Sequence, residues 1–263
     1  MIAGFQEFVD LTAQNLLRDD AARRQECRAK VVQCLQRLHG ERYVEVGVEQ
    51  MFGVFLLVFV HPALAGYVKG VCAEVVRTGF GSDSLGVKAG NKGGIAVRLD
   101  LGGASLCIIN SHLPAGQSHP EERNDTYREV IKSLGTVFAA NLRGGPYPPP
   151  LHHDLCVWLG DLNYRVERPN DEVRQKIGTG AFLPLLQADQ LKNAQRTLQA
   201  FGDFHEAPIT FQPTYKYDSG TSVYDTSEKA RTPSWTDRVL WRQRGDGSVT
   251  SLAYRSLVPV CVP

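Results

Sequence analysis

Residues 158–165 read WLGDLNYR, an apolar run that ends at a glycine and then sets Asp161 and Asn163 two positions apart. If the strand continues, alternation places both side chains on one face. A carboxylate there can accept a proton or orient water. An amide beside it can donate to an anionic oxygen without adding charge. The pair suits water attack on a phosphate ester. The plain alternative is a strand running into an Asx-type turn.

Four other stretches carry residue types of the same kind. Glu7 closes the apolar segment GFQE, where a lone carboxylate can hold a hard cation such as Mg²⁺ or be an ordinary surface glutamate. KAGNKGG, residues 88–94, has glycines that let the backbone approach a ligand, with Asn91 and Lys92 as donors to phosphate oxygens. It lacks the Walker pattern and reads equally as a polar turn opening the next strand. His112, in NSHL, follows an apolar strand and can donate to a phosphoryl oxygen, shuttle a proton, or be satisfied by a backbone carbonyl. His152 and His153 stay unassigned.

The fourth stretch, residues 210–244, sets Lys216, Lys229, Arg231, Arg238, Arg242 and Arg244 against Asp218, Asp225, Glu228 and Asp237, with tyrosines between them. Three readings are open: a stacking surface for nucleic acid, a pocket for several phosphates on a small ring, or a solvated, salt-bridged loop. Asp237 enters an apolar strand and needs a partner, such as a histidine it orients.

The elements that must position these residues are partly legible. Strands are expected at residues 2–6, 52–60, 94–101, 105–110, 155–159 and 238–241, with Gly102-Gly103 turning a hairpin. Helices are expected at 23–39 and about 120–142. Ser118 and Glu121 form a capping box for the second, with Pro120 in its first turn. Residues 143–150, RGGPYPPP, are loop. Hairpins without strict βαβ alternation argue for a mixed, largely antiparallel sheet core with helices outside.

The chain has 263 residues, 43% hydrophobic and 22% charged, enough for one large domain. A net charge of +1 gives no global pull toward nucleic acid or membrane. The six cysteines are scattered, several inside apolar runs, which predicts reduced core thiols and a cytoplasmic protein. The longest apolar run, residues 51–60, is too short to span a bilayer. No leader sequence is evident at the N-terminus.

Taken in order, GFQE, GNKGG, NSHL, WLGDLNYR, FQPTYKYD and PSWTDRVLW resemble the signature blocks of inositol polyphosphate 5-phosphatases, over nearly the whole chain. GFQEFVDLTAQNLL, HLPAGQS followed by EERND, RPNDEV and SEKARTPSWTDRVLWR resemble the synaptojanin branch. The resemblance implies one catalytic domain with the four-layer αββα sandwich of DNase I-like enzymes, an α/β fold with mixed, mostly antiparallel sheets. It implies Mg²⁺-dependent removal of the 5-phosphate from phosphoinositides or soluble inositol polyphosphates by direct water attack. In roles carried over from the family, Glu7 is the metal ligand and Asp161 activates water. Asn163 holds the phosphoryl oxygens and His112 faces the scissile phosphate. Tyr215, Lys216, Lys229 and Arg231 grip the neighbouring ring phosphate. Asn91 and Lys92 belong to the substrate loop, and Asp237 orients a catalytic histidine.

Two family blocks are missing from the sequence: a first strand before GFQE, and a C-terminal Ser-Asp-His block carrying the histidine that Asp237 would orient. The expectation is a monomer, peripheral at phosphoinositide membranes and at most weakly active, with a non-catalytic headgroup binder as the alternative. A nuclease is disfavoured by the near-zero net charge.

Overall fold

In Val54–Val60 (β3) every residue is apolar and buried, so both faces of this strand need a cover. The computed structural model describes residues 1–7, 21–78, 92–141, 145–245 and 249–257; Asn91 and Cys261 lie outside them. Ile2–Phe5 (β1) and Val44–Met51 (β2) flank β3, both antiparallel, in a three-stranded sheet. Alternation along β3 sends Phe55, Leu57 and Phe59 toward Leu35 and half-buried Val31 of helix Ala21–His39 (α1). Val54, Leu56 and Val58 point the other way, against Ile95, Val97, Leu99 and Ile108.

Those last four belong to a second sheet, ordered Val68–Thr78 (β4), Lys92–Leu101 (β5), Ala104–His112 (β6), Leu155–Asp161 (β7) and Asp237–Gln243 (β8). All its pairings are antiparallel except β6–β7. A parallel pair needs a crossover, and helix Pro120–Ala139 (α2) supplies it. Val130, Leu134 and Phe138 of α2 pack on the outer face of this sheet with Ile109, Trp158 and Leu240. The layers therefore run α1, three strands, five strands, α2: the expected αββα sandwich. Between β7 and β8 stand Asn170–Gly178 (α3), Phe182–Gln187 (α4) and Gln190–Arg196 (α5). A further core of Val166, Val173, Leu185, Ile209 and Trp235 binds this insert to the sheet end.

Several expectations need correction. β2 and β4 carry no clean strand signal in the sequence, because their half-buried faces mix charged with apolar residues. Residues 51–60 are not one run: Phe52, at φ +46°, and Gly53 turn a hairpin between β2 and β3. The box at Ser118 does not form. His119 caps α2 without a side-chain hydrogen bond, and its Nδ1 faces Glu122 at 3.3 Å. Cys72, Cys107 and Cys156 are buried free thiols, as expected, whereas Cys34 is exposed. Among the described residues, no helix is long and apolar enough to cross a membrane.

Candidate active site

The sheet register decides which side chains meet. His112 pairs with Gly93, Asp161 with His112, and Asp237 with Asp161, so three of the chemically capable residues form one row at one end of the five-stranded sheet. Lys92, the first residue of β5, joins the row by placing Nζ 2.6 Å from His112 Nε2. The same imidazole nitrogen lies 3.5 Å from Asp161 Oδ2. Close strand approach requires glycine at two points. At Gly160, with φ +131°, a Cβ would meet the Ser111 carbonyl oxygen at 2.1 Å; at Gly93, with φ +137°, it would meet that of Val76 at 2.1 Å.

Asn163 does not reach the site by strand alternation. β7 stops at Asp161, and Asn163 turns into the left-handed region at φ +56°, a conformation Asn tolerates. Its backbone N–H donates to Asp161 Oδ1 at 3.0 Å, so the Asx turn itself brings the two side chains together. The buried amide donates through Nδ2 to the Leu113 carbonyl at 3.0 Å, and Oδ1 accepts from Arg165 Nη2 at 2.5 Å. An amide nitrogen has two N–H groups, so a second donor is left for a ligand.

Asn110, the first residue of NSHL, has no role that the sequence alone suggests. Fully buried on β6, it donates to the carbonyls of Phe55 (3.0 Å) and Phe5 (3.3 Å) and accepts from Gln6 Nε2 at 2.6 Å. One side chain thus ties the two sheets together and bonds Gln6, the residue before Glu7. Its signal in the sequence is its place two residues before His112, on the same strand face. Glu7 follows β1 at φ +52° and is exposed. Its charge acts on both Lys92 and Asp237.

Burial governs the electrostatics. It pushes the His112 imidazole down to about 3, helped by Lys92. It raises the Asp161 carboxyl, with the Asp237 charge next in size, while Lys92 and Arg165 partly offset the rise. Lys92 is itself lowered by desolvation. Asp237 is raised although its surface is open to solvent, because protein crowds it; its Oδ2 accepts from Thr214 at 2.8 Å and Thr236 at 3.3 Å. The partners seen at this carboxylate are therefore hydroxyls.

Tyr215 joins the row through Arg165, whose guanidinium carbon stands 4.1 Å from the centre of the Tyr215 ring. Paired backbone bonds between Tyr215 and Ser234 anchor that segment beside Thr236 and Asp237. Lys216 and Lys229 are exposed on the same loop system. Arg231 is half-buried and held by Asp225, which accepts from its backbone N–H and from Nη1, both at 3.0 Å. Arg238, Arg242 and Arg244 turn away from this group: Arg238 bonds Glu206 and Asp189, and Arg242 and Arg244 donate to the carbonyls of Leu151 and His152.

Residues 1–261 match the family model described as endonuclease/exonuclease/phosphatase family 2. The chain belongs to this family. It is 39% identical to rat (Rattus norvegicus) synaptojanin-2 over 238 residues, 90% of the chain but 15% of that protein. It is 38% identical to the inositol-1,4,5-trisphosphate 5-phosphatase 1 of Schizosaccharomyces pombe over 262 residues, 97% of the chain and 22% of the relative. Among solved structures it resembles the inositol polyphosphate 5-phosphatase domain of SPsynaptojanin in complex with inositol (1,4)-bisphosphate and calcium ion, at 37% identity and a TM-score of 0.80, covering 92% of this chain and 66% of that one.

The residues of this family member fit a hard divalent cation. Burial raises both Asp161 and Asp237, the Asp237 charge adds to the first and the Glu7 charge to the second, so positive charge there would relieve them. Among the described residues, no three His, Cys, Asp or Glu side chains form a closed cage. That suits an ion held by one or two protein oxygens, with waters and a phosphate completing its shell.

Proposed function

We propose that this chain is a magnesium-dependent phosphomonoesterase that removes the 5-phosphate from phosphoinositide headgroups, such as that of phosphatidylinositol 4,5-bisphosphate, and from related soluble inositol polyphosphates. The observation that carries the reading is the in-register row of His112, Asp161 and Asp237, with the Lys92 ammonium against His112, Asn163 folded beside Asp161 and Tyr215 stacked on Arg165. The likeness to a domain solved with an inositol bisphosphate supports the substrate class.

The geometry supports the following roles. Asp161, with its raised carboxyl, accepts the proton of a water that attacks phosphorus. Lys92 and the second N–H of Asn163 donate to phosphoryl oxygens as their charge grows. The neutral, buried His112 holds Lys92 in line from one side. Glu7 would hold Mg²⁺, which supplies Lewis-acid polarisation of the phosphate when bound. On the resemblance, Tyr215, Lys216, Lys229 and Arg231 would grip the adjacent ring phosphate; the role of Asn91, outside the described residues, rests on the resemblance alone.

The test is phosphate release from phosphatidylinositol 4,5-bisphosphate with Mg²⁺ and with EDTA, on wild type and Glu7→Gln. Turnover that needs Mg²⁺, with a higher Mg²⁺ requirement in the variant, is expected. An identical Mg²⁺ response in the two proteins removes Glu7 from the metal site. A second reading, a headgroup binder without turnover, is favoured by the hydroxyl partners of Asp237. Headgroup binding without phosphate release would establish it.

A further inference from the structure

The three cations assigned to the ring phosphate stand on a loop outside both sheets, and like charges there repel one another. Each is nevertheless tied within one residue of a bond made by a single buried turn or by α3. Asp225 N–H donates to the Lys216 carbonyl at 2.9 Å. The Asp225 carboxylate, 3% exposed as a residue, accepts from Ser227 N–H at 3.1 Å and from Arg231 twice. These donors hold it well below the usual carboxylate range, so it stays charged opposite Arg231.

The Asp225 turn is in turn held by α3. Arg174 Nη2 donates to the Asp225 carbonyl at 2.7 Å, and Nη1 to that of Tyr224 at 3.4 Å. Its Nε donates to Asn170 Oδ1 at 2.6 Å, which fixes the amide so that Asn170 Nδ2 donates to the carbonyl of Ala230, the residue after Lys229. Between them on α3, Val173 is buried in the core that contains Trp235, two residues before Asp237. α3 therefore links the position of the cation loop to the catalytic strand end.

We infer that Asn170 and Arg174 are positioning residues that set discrimination for the ring phosphate adjacent to the scissile one, by fixing where Lys216, Lys229 and Arg231 stand. This rests on the proposed phosphatase reading for the identity of the ligand. Losing the clamp lets three repelling cations spread, so affinity for the second phosphate falls, while the bonds within the row at the sheet end, none of which involves Asn170 or Arg174, remain.

The variant to make is Arg174→Met, which keeps the stem and removes the donors. Calorimetry in EDTA with inositol 1,4,5-trisphosphate and inositol 1,5-bisphosphate measures binding without turnover. The expected result is about tenfold weaker binding of the trisphosphate, the scale of one charge-assisted hydrogen bond, with under twofold change for the compound lacking the 4-phosphate. With Mg²⁺, vesicles carrying phosphatidylinositol 4,5-bisphosphate should show the same loss as a raised KM at unchanged kcat, and vesicles carrying phosphatidylinositol 5-phosphate should show none. Equal losses for both members of either pair, or no loss at all, overturn the inference; so does a loss confined to vesicles, which would assign Arg174 to the lipid surface. If Arg174→Met lacks a cooperative thermal transition, Asn170→Ala decides on the same criteria. A wild type that binds the trisphosphate without releasing phosphate ends the hydrolase reading, and the binding pair still decides the positioning role. A wild type that binds neither compound ends both.

Discussion

His112 and Asp161 face each other across adjacent strand ends, and burial acts on them with opposite consequences for stability. His112 falls from 6.5 to about 3 on folding. The stability it contributes is present above pH 6.5 and is lost as pH falls through that window, by at most about 1.4 kcal/mol per pH unit. Asp161 is raised, so folding takes up its proton more readily, and stability is regained as pH falls through its folded value. In EDTA, His112→Asn should therefore flatten the loss of stability between pH 6.5 and 4, and Asp161→Asn should steepen it. Urea unfolding at pH 7, 6, 5 and 4 reads both slopes; two variants with the wild-type profile would refute the assignment. Gly160→Ala tests the backbone beneath them. A methyl 2.1 Å from the Ser111 oxygen at φ +131° cannot be housed without moving β6 from β7. A loss of about 1–3 kcal/mol, read by urea unfolding, is expected, accompanied by reduced turnover.

Among the elements, β8 depends on a buried ion cluster. Arg238 stands between Glu206, at 2.6 and 2.7 Å, and Asp189, at 3.1 and 3.2 Å, all with fully buried side chains. Asp189 also caps α5 by accepting from Lys192 N–H, and Lys192 Nζ reaches Glu206 at 2.6 Å. Tyr254 closes the group by donating to Glu206 while accepting from Val239 N–H. Arg238→Met would leave two buried carboxylates with their main counter-charge gone. It should cost about 3–5 kcal/mol, measured by urea unfolding at pH 7.5. Lowering the pH protonates those carboxylates, so the gap between variant and wild type should narrow toward pH 4. A constant gap would mean that packing, not charge, is what Arg238 contributes.

For the whole molecule, charge is local rather than global. The sum is +1, yet Lys92 and Arg165 both act on Asp161 at one sheet end, and Arg165 stacks on Tyr215, the residue before Lys216. On the proposed reading, such local charge would attract a small polyanion to one place without a broad field for nucleic acid. Lys229→Ala should weaken binding of a 4,5-bisphosphorylated headgroup by about 10- to 100-fold and leave one without the 4-phosphate nearly unchanged. Calorimetry with inositol 1,4,5-trisphosphate and inositol 1,5-bisphosphate separates the cases, and an equal loss in both would make Lys229 a general electrostatic contributor.

The sequence by itself determined the chemically capable residues and much of the layer plan. The fully apolar β3, the Gly102-Gly103 hairpin and the amphipathic α2 are local patterns, and local patterns set element type. The ordered motif blocks pointed to the family; Glu7, His112, Asp161 and Asn163 stand out at strand ends, and Lys92 in a glycine-rich stretch. Only the tertiary structure decided which of them meet. Strand register, a long-range property, aligned Gly93, His112, Asp161 and Asp237, because one-residue slips would turn every side chain to the wrong face. β2 and β4 escaped sequence reading because half-exposed strands lack a clean apolar signal. The roles of Asn110, Arg165 and Asp225 escaped it too, since a buried polar residue is recognised by its partners. Those partners lie 55 residues away for Asn110 and Phe55, and on another helix for the turn at Asp225. Even Asn163, chosen for strand alternation, reaches Asp161 through a left-handed turn that only the packed neighbours Leu113 and Arg165 hold in place.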